Sequence, residues 1–339
     1  MVTLKDIAKL TGVSISTVSR VLSDKGKISE ATKKKVLAAV EEFMFQPGVI
    51  SQKFDGVPRK IGIIIPQFGE YYLDDPSSSA DLRALEKELT DLNYEASYIK
   101  NDDDSTENEK IIKDVLDKNF DGIILSDPFD NNYLVNQIVD NNIPYIVTNG
   151  VFRNKEYNYL DFDNYSCVYD LTNYLYNLGH RNIAVITGPK NHMVTLNRLS
   201  GFNAALDTLN LDSDNIIICH GNFNLESGYE NAKIILEKNK NITAILGFSD
   251  LISLGAMKAI KEKKKKVPRD VSLVGIDNIE FSQYSDPPLT TIDRNPALLA
   301  SMIIKSLNDL IVNKATIKKI QILLKTNFIE RKSCKQLKA

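Results

Sequence analysis

The stretch ISTVSR at 15–20 sets the hydroxyl side chains Ser16, Thr17 and Ser19 between an isoleucine and a single guanidinium. Coiled as a helix, its outer face is Ile15, Ser16, Thr17, Ser19 and Arg20. Short side chains let a helix come close to base edges in a DNA major groove. An arginine fork there donates two parallel hydrogen bonds to a guanine. A merely solvated face carries lysine and glutamate more often. The chemistry is therefore recognition. Nothing elsewhere offers turnover: no GxxxxGK[ST], GxSxG or HExxH occurs. His180, His192 and His220 are dispersed, and Cys167, Cys219 and Cys334 stand apart from one another. No catalytic residue, metal site, disulfide framework or cofactor is expected.

That reading face needs a scaffold, and the flanks supply one. Thr3 can cap a first helix, with Leu4, Ile7 and Ala8 on its apolar side. Gly12 breaks it. Ser14 can cap a second helix that turns Val18, Val21 and Leu22 to a core, and a third runs on from Ser29. Three short helices also suit a generic bundle; the small polar face of the second favours helix-turn-helix. Charge agrees. Residues 1–60 hold 11 Lys/Arg against 6 Asp/Glu, giving +5, whereas the remainder holds 31 against 38, giving −7. A basic head on an acidic body suits a polyanion at the head alone.

From residue 61 short apolar runs alternate with helical stretches: IGIIIP (61–66), YEASYI (94–99), DGIILS (121–126) and IPYIVTN (143–149), then, after DFDNYS (161–166), NIAVITG, NIIICHG, AILGFS and SLVGID. Alternating strand and helix means parallel sheets with right-handed crossovers, and the restart implies two lobes with a cleft. Ligands of such sheets sit beyond the carboxyl ends of strands. Gln67, Phe68, Asp127, Asn149, Asp163 and Ser249 lie at such ends. The lysine run KEKKKK (261–266) reads as a solvated helix C-terminus. At 339 residues, two or three domains are expected. No apolar run is long enough for a membrane helix and no signal-peptide pattern opens the chain, so the expected location is cytoplasmic.

The segment VTLKDIAKLTGVSISTVSRVLSDKGKISEATKKKVLAAVEE resembles the DNA-binding head of the lactose-repressor (LacI/GalR) family. NRLSGF, GNFNLESGY, SLGAMKAI, VPRDVSLVGIDN and DPPLTTID resemble landmarks of that family's effector domain. The resemblance implies a small all-α helix-turn-helix head followed by an α/β, two-lobed domain like periplasmic binding proteins, with two parallel doubly wound sheets. It places the head at 1–46 and a hinge helix or linker at 47–59. One lobe takes 60–162 plus 293–321, the other 163–292 plus 322–339. It assigns base reading to Ile15, Ser16 and Arg20, phosphate contacts to Thr3, Thr17 and Ser19, and minor-groove entry to Ser51 and Phe54. Phe54 replaces the family's leucine wedge, a role phenylalanine also fills. Arg198, Asp277 and Phe223 match effector positions: a planar donor fork, an acceptor and a stacking ring. Taken singly, each also suits a surface ion pair, a turn or a core. Ser249 stands where the family often has Asn or Asp, and the loop QFGEYYLDDPSSSAD is longer than usual.

The function implied is a homodimeric transcription regulator, a repressor of a carbohydrate operon, bound to near-palindromic operator DNA and controlled by a sugar or sugar derivative between the lobes. Two alternatives stay open: control by a phosphorylated carrier protein, and a purine- or nucleoside-responsive repressor.

Overall fold

The computed structural model describes residues 11–14, 17–18, 21, 28–29, 32–36, 58–66, 75–101, 105–126, 133–150, 157–239, 241–312 and 319–337. The chain divides into two compact units, Met1–Val57 and Pro58–Ala339.

In the first unit, Gly12 turns the chain at φ +66°. Ser14 then caps a helix: its Oγ accepts from the Thr17 amide at 3.1 Å and its carbonyl accepts from Thr17 and Val18. Ser29 does the same for the next helix, accepting from the Thr32 amide at 3.2 Å. Val18, Val21 and Val36 are buried together, with Val13 and Ile28 packed against them. The helix of Thr3, and Leu22, lie outside the described residues.

The second unit begins inside the expected linker 47–59, because Arg59 is already fastened to it. The Arg59 guanidinium donates to Asn308 Oδ1 at 2.8 Å, and its carbonyl accepts from Glu95. Strands and helices then alternate: β1 (Lys60–Pro66), α1 (Pro76–Asp91), β2 (Glu95–Asn101), α2 (Ser105–Asp117), β3 (Gly122–Ser126), α3 (Tyr133–Asp140), β4 (Tyr145–Thr148) and β5 (Tyr159–Phe162). The theme restarts with α4 (Asn164–Asn177), β6 (Ile183–Thr187), α5 (Met193–Leu209), β7 (Ile216–His220), α6 (Leu225–Lys238), β8 (Ala244–Gly247), α7 (Asp250–Glu262) and β9 (Ser272–Val274). It ends with α8 (Glu280–Tyr284), β10 (Thr291–Asp293), α9 (Pro296–Val312), β11 (Gln321–Leu324) and β12 (Asn327–Ile329).

Two parallel sheets result, ordered β11-β5-β4-β3-β1-β2 and β7-β6-β8-β9; β10 and β12 pair antiparallel. The first sheet is covered on both faces, as a parallel sheet must be. Ile61, Ile63 and Ile65 of β1 face α1 and α9, whereas Ile64 shares the opposite core with α2 and α3. In the second lobe, α6 and α7 pack backbone to backbone. A Cβ on Gly228 would lie 2.1 Å from the Ile252 carbonyl, and one on Gly255 would lie 2.0 Å from that of Leu225. This is the physical content of the glycines in GNFNLESGY and SLGAMKAI.

The chain passes between the sheets after Phe162, after β10 and after Leu324. The expected boundary between 321 and 322 falls inside β11, all four of whose residues pair β5, so the last crossing comes three residues later. Among the described residues no helix is long and apolar enough to cross a membrane.

Candidate functional site

Arg198 stands on α5 and is buried, although its side chain is among the most hydrophilic. Its Nε donates to Asn164 Oδ1 at 2.8 Å, and Nη1 donates to the Phe248 carbonyl. Its Nη2 lies 3.9 Å from Asp277 Oδ1, and its guanidinium is 5.9 Å from the centre of the Phe223 ring. Phe223 in turn lies over Gly188, where an added Cβ would meet the ring at 2.2 Å, and packs edge-on against His192. Three residues far apart in the chain are thus brought together.

Asp277 is held in an unusual backbone state. Its φ is +120° and that of Asn278 is +55°. Such conformations in a non-glycine cost about 1–3 kcal/mol and persist only where neighbours over-determine them. Asp250 supplies that constraint. Buried at the start of α7, its carboxylate accepts from the Ile279 amide at 3.0 Å and from the Thr291 hydroxyl. Arg331 adds a bond to Asn278 Oδ1 at 2.6 Å.

The partner of Asp277 that the sequence did not reveal is Arg294, just after β10. Its Nε lies 3.0 Å from Asp277 Oδ1, and its Nη2 donates to Asp81 Oδ2 at 3.1 Å. Its guanidinium also lies 5.0 Å from the centre of the Phe162 ring. Asp81 is on α1 and Asp161 on β5, both in the first lobe, so the chain of charges Arg198–Asp277–Arg294–Asp81 runs from one lobe to the other with no side chain in it more than 9% exposed.

Among the described residues, carboxylates outnumber cations here. Burial pushes Asp161 up to about 7 and Asp277 up to about 6, with the two arginines pulling the other way. Burial likewise raises Asp81, and it raises Asp250 strongly, aided by the charge of Asp277. For Arg294 burial opposes the cation, but Asp81 and Asp277 outweigh it and its pKa rises. Asp81 Oδ1 and Asp161 Oδ2 are buried without a donor in bonding geometry, although Asn149 lies close to both carboxylates.

Asn149 ends β4 with φ +55° and reaches Ser126 Oγ at 3.4 Å. Ser249 is buried beside Asp250 and caps α7, accepting from the Ile252 amide at 3.2 Å, a task serine performs as well as Asn or Asp. Asp163 caps α4 and lines a different cavity, away from Arg198. Gln67, Phe68 and Asp127 lie outside the described residues, as do Thr3, Ile15, Ser16, Ser19, Arg20, Ser51 and Phe54. Thr17 is described: its hydroxyl pairs with that of Ser14 at 2.8 Å. Among the described residues no cluster of His, Cys, Asp and Glu could hold a metal ion.

Two residues of the charge chain had a legible signal. Asp81 sits on the buried stripe of α1 with Leu82, Leu85 and Leu89, and Asp161 lies inside the otherwise apolar strand YLDF. A carboxylate on a core-facing position asks for a partner. Arg294, in a connecting segment, carried no such mark.

Known proteins resemble this chain in sequence and fold. Residues 3–48 match a model described as bacterial regulatory proteins, lacI family, and residues 172–334 match a periplasmic binding protein-like domain. The chain is 30% identical to the HTH-type transcriptional repressor PurR of Histophilus somni (strain 2336), over 99% of this chain and 100% of the relative. It is 32% identical to the HTH-type transcriptional repressor CytR of Escherichia coli (strain K12), over 86% of this chain and 84% of the relative. A crystal structure of the lac repressor dimer bound to operator and the anti-inducer ONPF superposes with a TM-score of 0.74 at 27% identity, covering 98% of this chain and 99% of that one.

Proposed function

We infer the working of this chain from the family to which it belongs, the lacI family of bacterial regulatory proteins: it is a DNA-binding transcriptional repressor whose operator affinity is set by a small molecule held between two lobes. In this reading Ile15, Ser16 and Arg20 read bases, Thr3, Thr17 and Ser19 hold phosphates, and Ser51 and Phe54 enter the minor groove. Two copies, like the two subunits of the lac repressor dimer on operator, would read the halves of a near-palindrome. The chain binds and releases; the reading gives it no catalysis and sets it beside DNA in the cytoplasm.

The observation that carries effector control is the buried charge chain between the lobes. A molecule entering there must displace Arg294 from Asp81 or Asp277, so its binding is coupled to the angle between lobes. Arg198, Asp277 and Phe223 would hold it, with Asn149 and Ser249 at neighbouring strand ends. Among the described residues, Asp81, Asp161 and Asp277 face two arginines, and two of their oxygens have no donor in bonding geometry. That balance suits a neutral, hydroxyl-rich ligand such as a sugar and disfavours a phosphate, which would meet like charge.

The test pairs two measurements. Operator DNA is selected from random duplexes with the full chain, then thermal shift is read against neutral sugars, sugar phosphates and nucleosides. Neutral sugars are expected to raise the melting temperature and change operator affinity, and Arg198→Ala to keep operator binding while losing that response. Stabilisation by sugar phosphates alone, or an unchanged response in Arg198→Ala, would overturn the assignment.

A further inference from the structure

A cavity of about 660 Å³ lies apart from the charge chain. Tyr165 and Tyr169 of α4 line it with their rings 6.3 Å apart and 12° from parallel. Thr208, ten residues beyond Arg198 on α5, adds to the same side. The other side is Leu323 of β11 and Lys325 in the last crossing segment, while Asp163, in the first crossing segment, and Asp170 supply carboxylates. None of these residues takes part in the arrangement around Arg198.

We propose that this cavity is a second small-molecule site, for a neutral carbohydrate ring, and that its occupancy biases the angle between the lobes. Three observations converge. The size is that of a small-ligand site, roughly 300–1,000 Å³. Its lining joins an aromatic face, which takes the C–H face of a sugar, to carboxylates that accept from hydroxyls and to an ammonium that donates. Two carboxylates against one lysine leave no compensation for an anion, and Lys325 opposes a cation; a neutral ring with donors and acceptors meets both.

The third observation is position. Leu323 belongs to the first lobe's sheet, Tyr165, Tyr169 and Thr208 to helices of the second. The Asp163 amide donates to the Leu324 carbonyl at 2.9 Å, which ties two of the three crossings together beside the cavity. A ligand that touches both lobes where they are joined has different contacts at different lobe angles. It therefore shifts that equilibrium, and reciprocally its affinity responds to operator and to any molecule between the lobes.

The chain contains no tryptophan. Thr208→Trp therefore places a single indole reporter in the cavity. Full-length protein carrying it is titrated with D-glucose, D-galactose, D-xylose, maltose and cellobiose into the tens of millimolar. At least one sugar is expected to give a saturable emission change. That change should persist when Phe223→Ala is added between the lobes, and Tyr169→Ala should weaken binding about three- to ten-fold, the loss of one aromatic contact. Calorimetry with Thr208 intact should find the same sugar bound to Phe223→Ala, and more weakly to Tyr169→Ala; bound sugar should also shift operator affinity in the Phe223→Ala protein. The proposal is overturned if no sugar saturates by either method, if the signal vanishes with Phe223→Ala and ignores Tyr169→Ala, or if bound sugar leaves operator affinity unchanged. Loss of the response that depends on Arg198 alone would leave this site standing, since the two are read by different variants.

Discussion

The two lobes meet the cleft differently. On the second lobe's side, each named group is held from within that lobe: Arg198 by Asn164 and Phe248, the turn carrying Asp277 by Asp250 and Arg331. On the first lobe's side, α1 and β5 bring the carboxylates of Asp81 and Asp161, and Asp81 is neutralised by Arg294, which stands in the crossing segment after β10 and also lies against Asp277. The second lobe's groups are therefore held within one lobe, whereas Asp81 depends on an arginine in a crossing segment that it shares with Asp277 of the other lobe. A change in the angle between the lobes must move Arg294 relative to Asp81 or Asp277, whereas the contacts of Arg198 lie within the second lobe.

Breaking the bridge should have the largest effect. Arg294→Leu leaves Asp81 and Asp277 buried without their shared cation. Denaturant titration is expected to show a loss of about 3–5 kcal/mol in the second unit, the usual result of removing one member of a buried ion pair. A loss below 1 kcal/mol would mean that the lobes relax apart and solvate the carboxylates, so the two sides of the cleft would not differ as described.

Next comes the support of the second lobe's side. Asp250→Ala frees the Ile279 amide and the Thr291 hydroxyl and is expected to cost about 2–3 kcal/mol. Sugar affinity should fall with it, because Asp277 loses its fixed backbone. Unchanged affinity would mean that the turn is rigid without Asp250.

A pH series sharpens the first lobe's role. The pKa of Asp161 rises from 3.8 to about 7 on folding. The folded chain holds that proton more tightly, so its contribution to stability is full below the unfolded pKa and is lost as pH rises through about 7. Asp161→Asn removes the loss. Relative to the parent, it should gain stability progressively between about pH 4 and 7, by on the order of 4 kcal/mol across that range. Thermal melts across that range in both proteins check it; a difference independent of pH would place Asp161 in a wetter setting than its burial implies. The smallest effect belongs to the head, where Ser14→Ala removes one helix cap and should cost that unit about 1 kcal/mol, with the second unit's melting untouched.

Much of the fold was legible in the chain. Strands β1, β3, β6 and β8 are short apolar runs between turns because they are buried on both faces, and burial leaves little choice of residue. Strands β5, β11 and β12 were not legible. QILL and NFI are short and half exposed, and they are strands only because β5 and β10 lie beside them. The site divides in the same way. The motifs pointed to Arg198, Asp277 and Phe223, which the structure brings together, whereas Asp163, a strand-end candidate, lines a cavity that includes none of the three.

By itself, then, the sequence determined what is local: the caps at Ser14 and Ser29, the alternation that splits Ile63 from Ile64, the basic head and acidic body, and the family motifs. The caps and the alternation depend on residues within one or two turns of one another, where spacing alone fixes the face, and the charge balance and motifs are read along the chain without any fold. Only the tertiary structure decided which charges meet. Asp81 and Arg294 are 213 residues apart, and their contact exists because the chain crosses between lobes and delivers one element's end to another's flank. A buried ion pair forms only where the second charge arrives to offset the desolvation of the first, and that arrival is a property of topology.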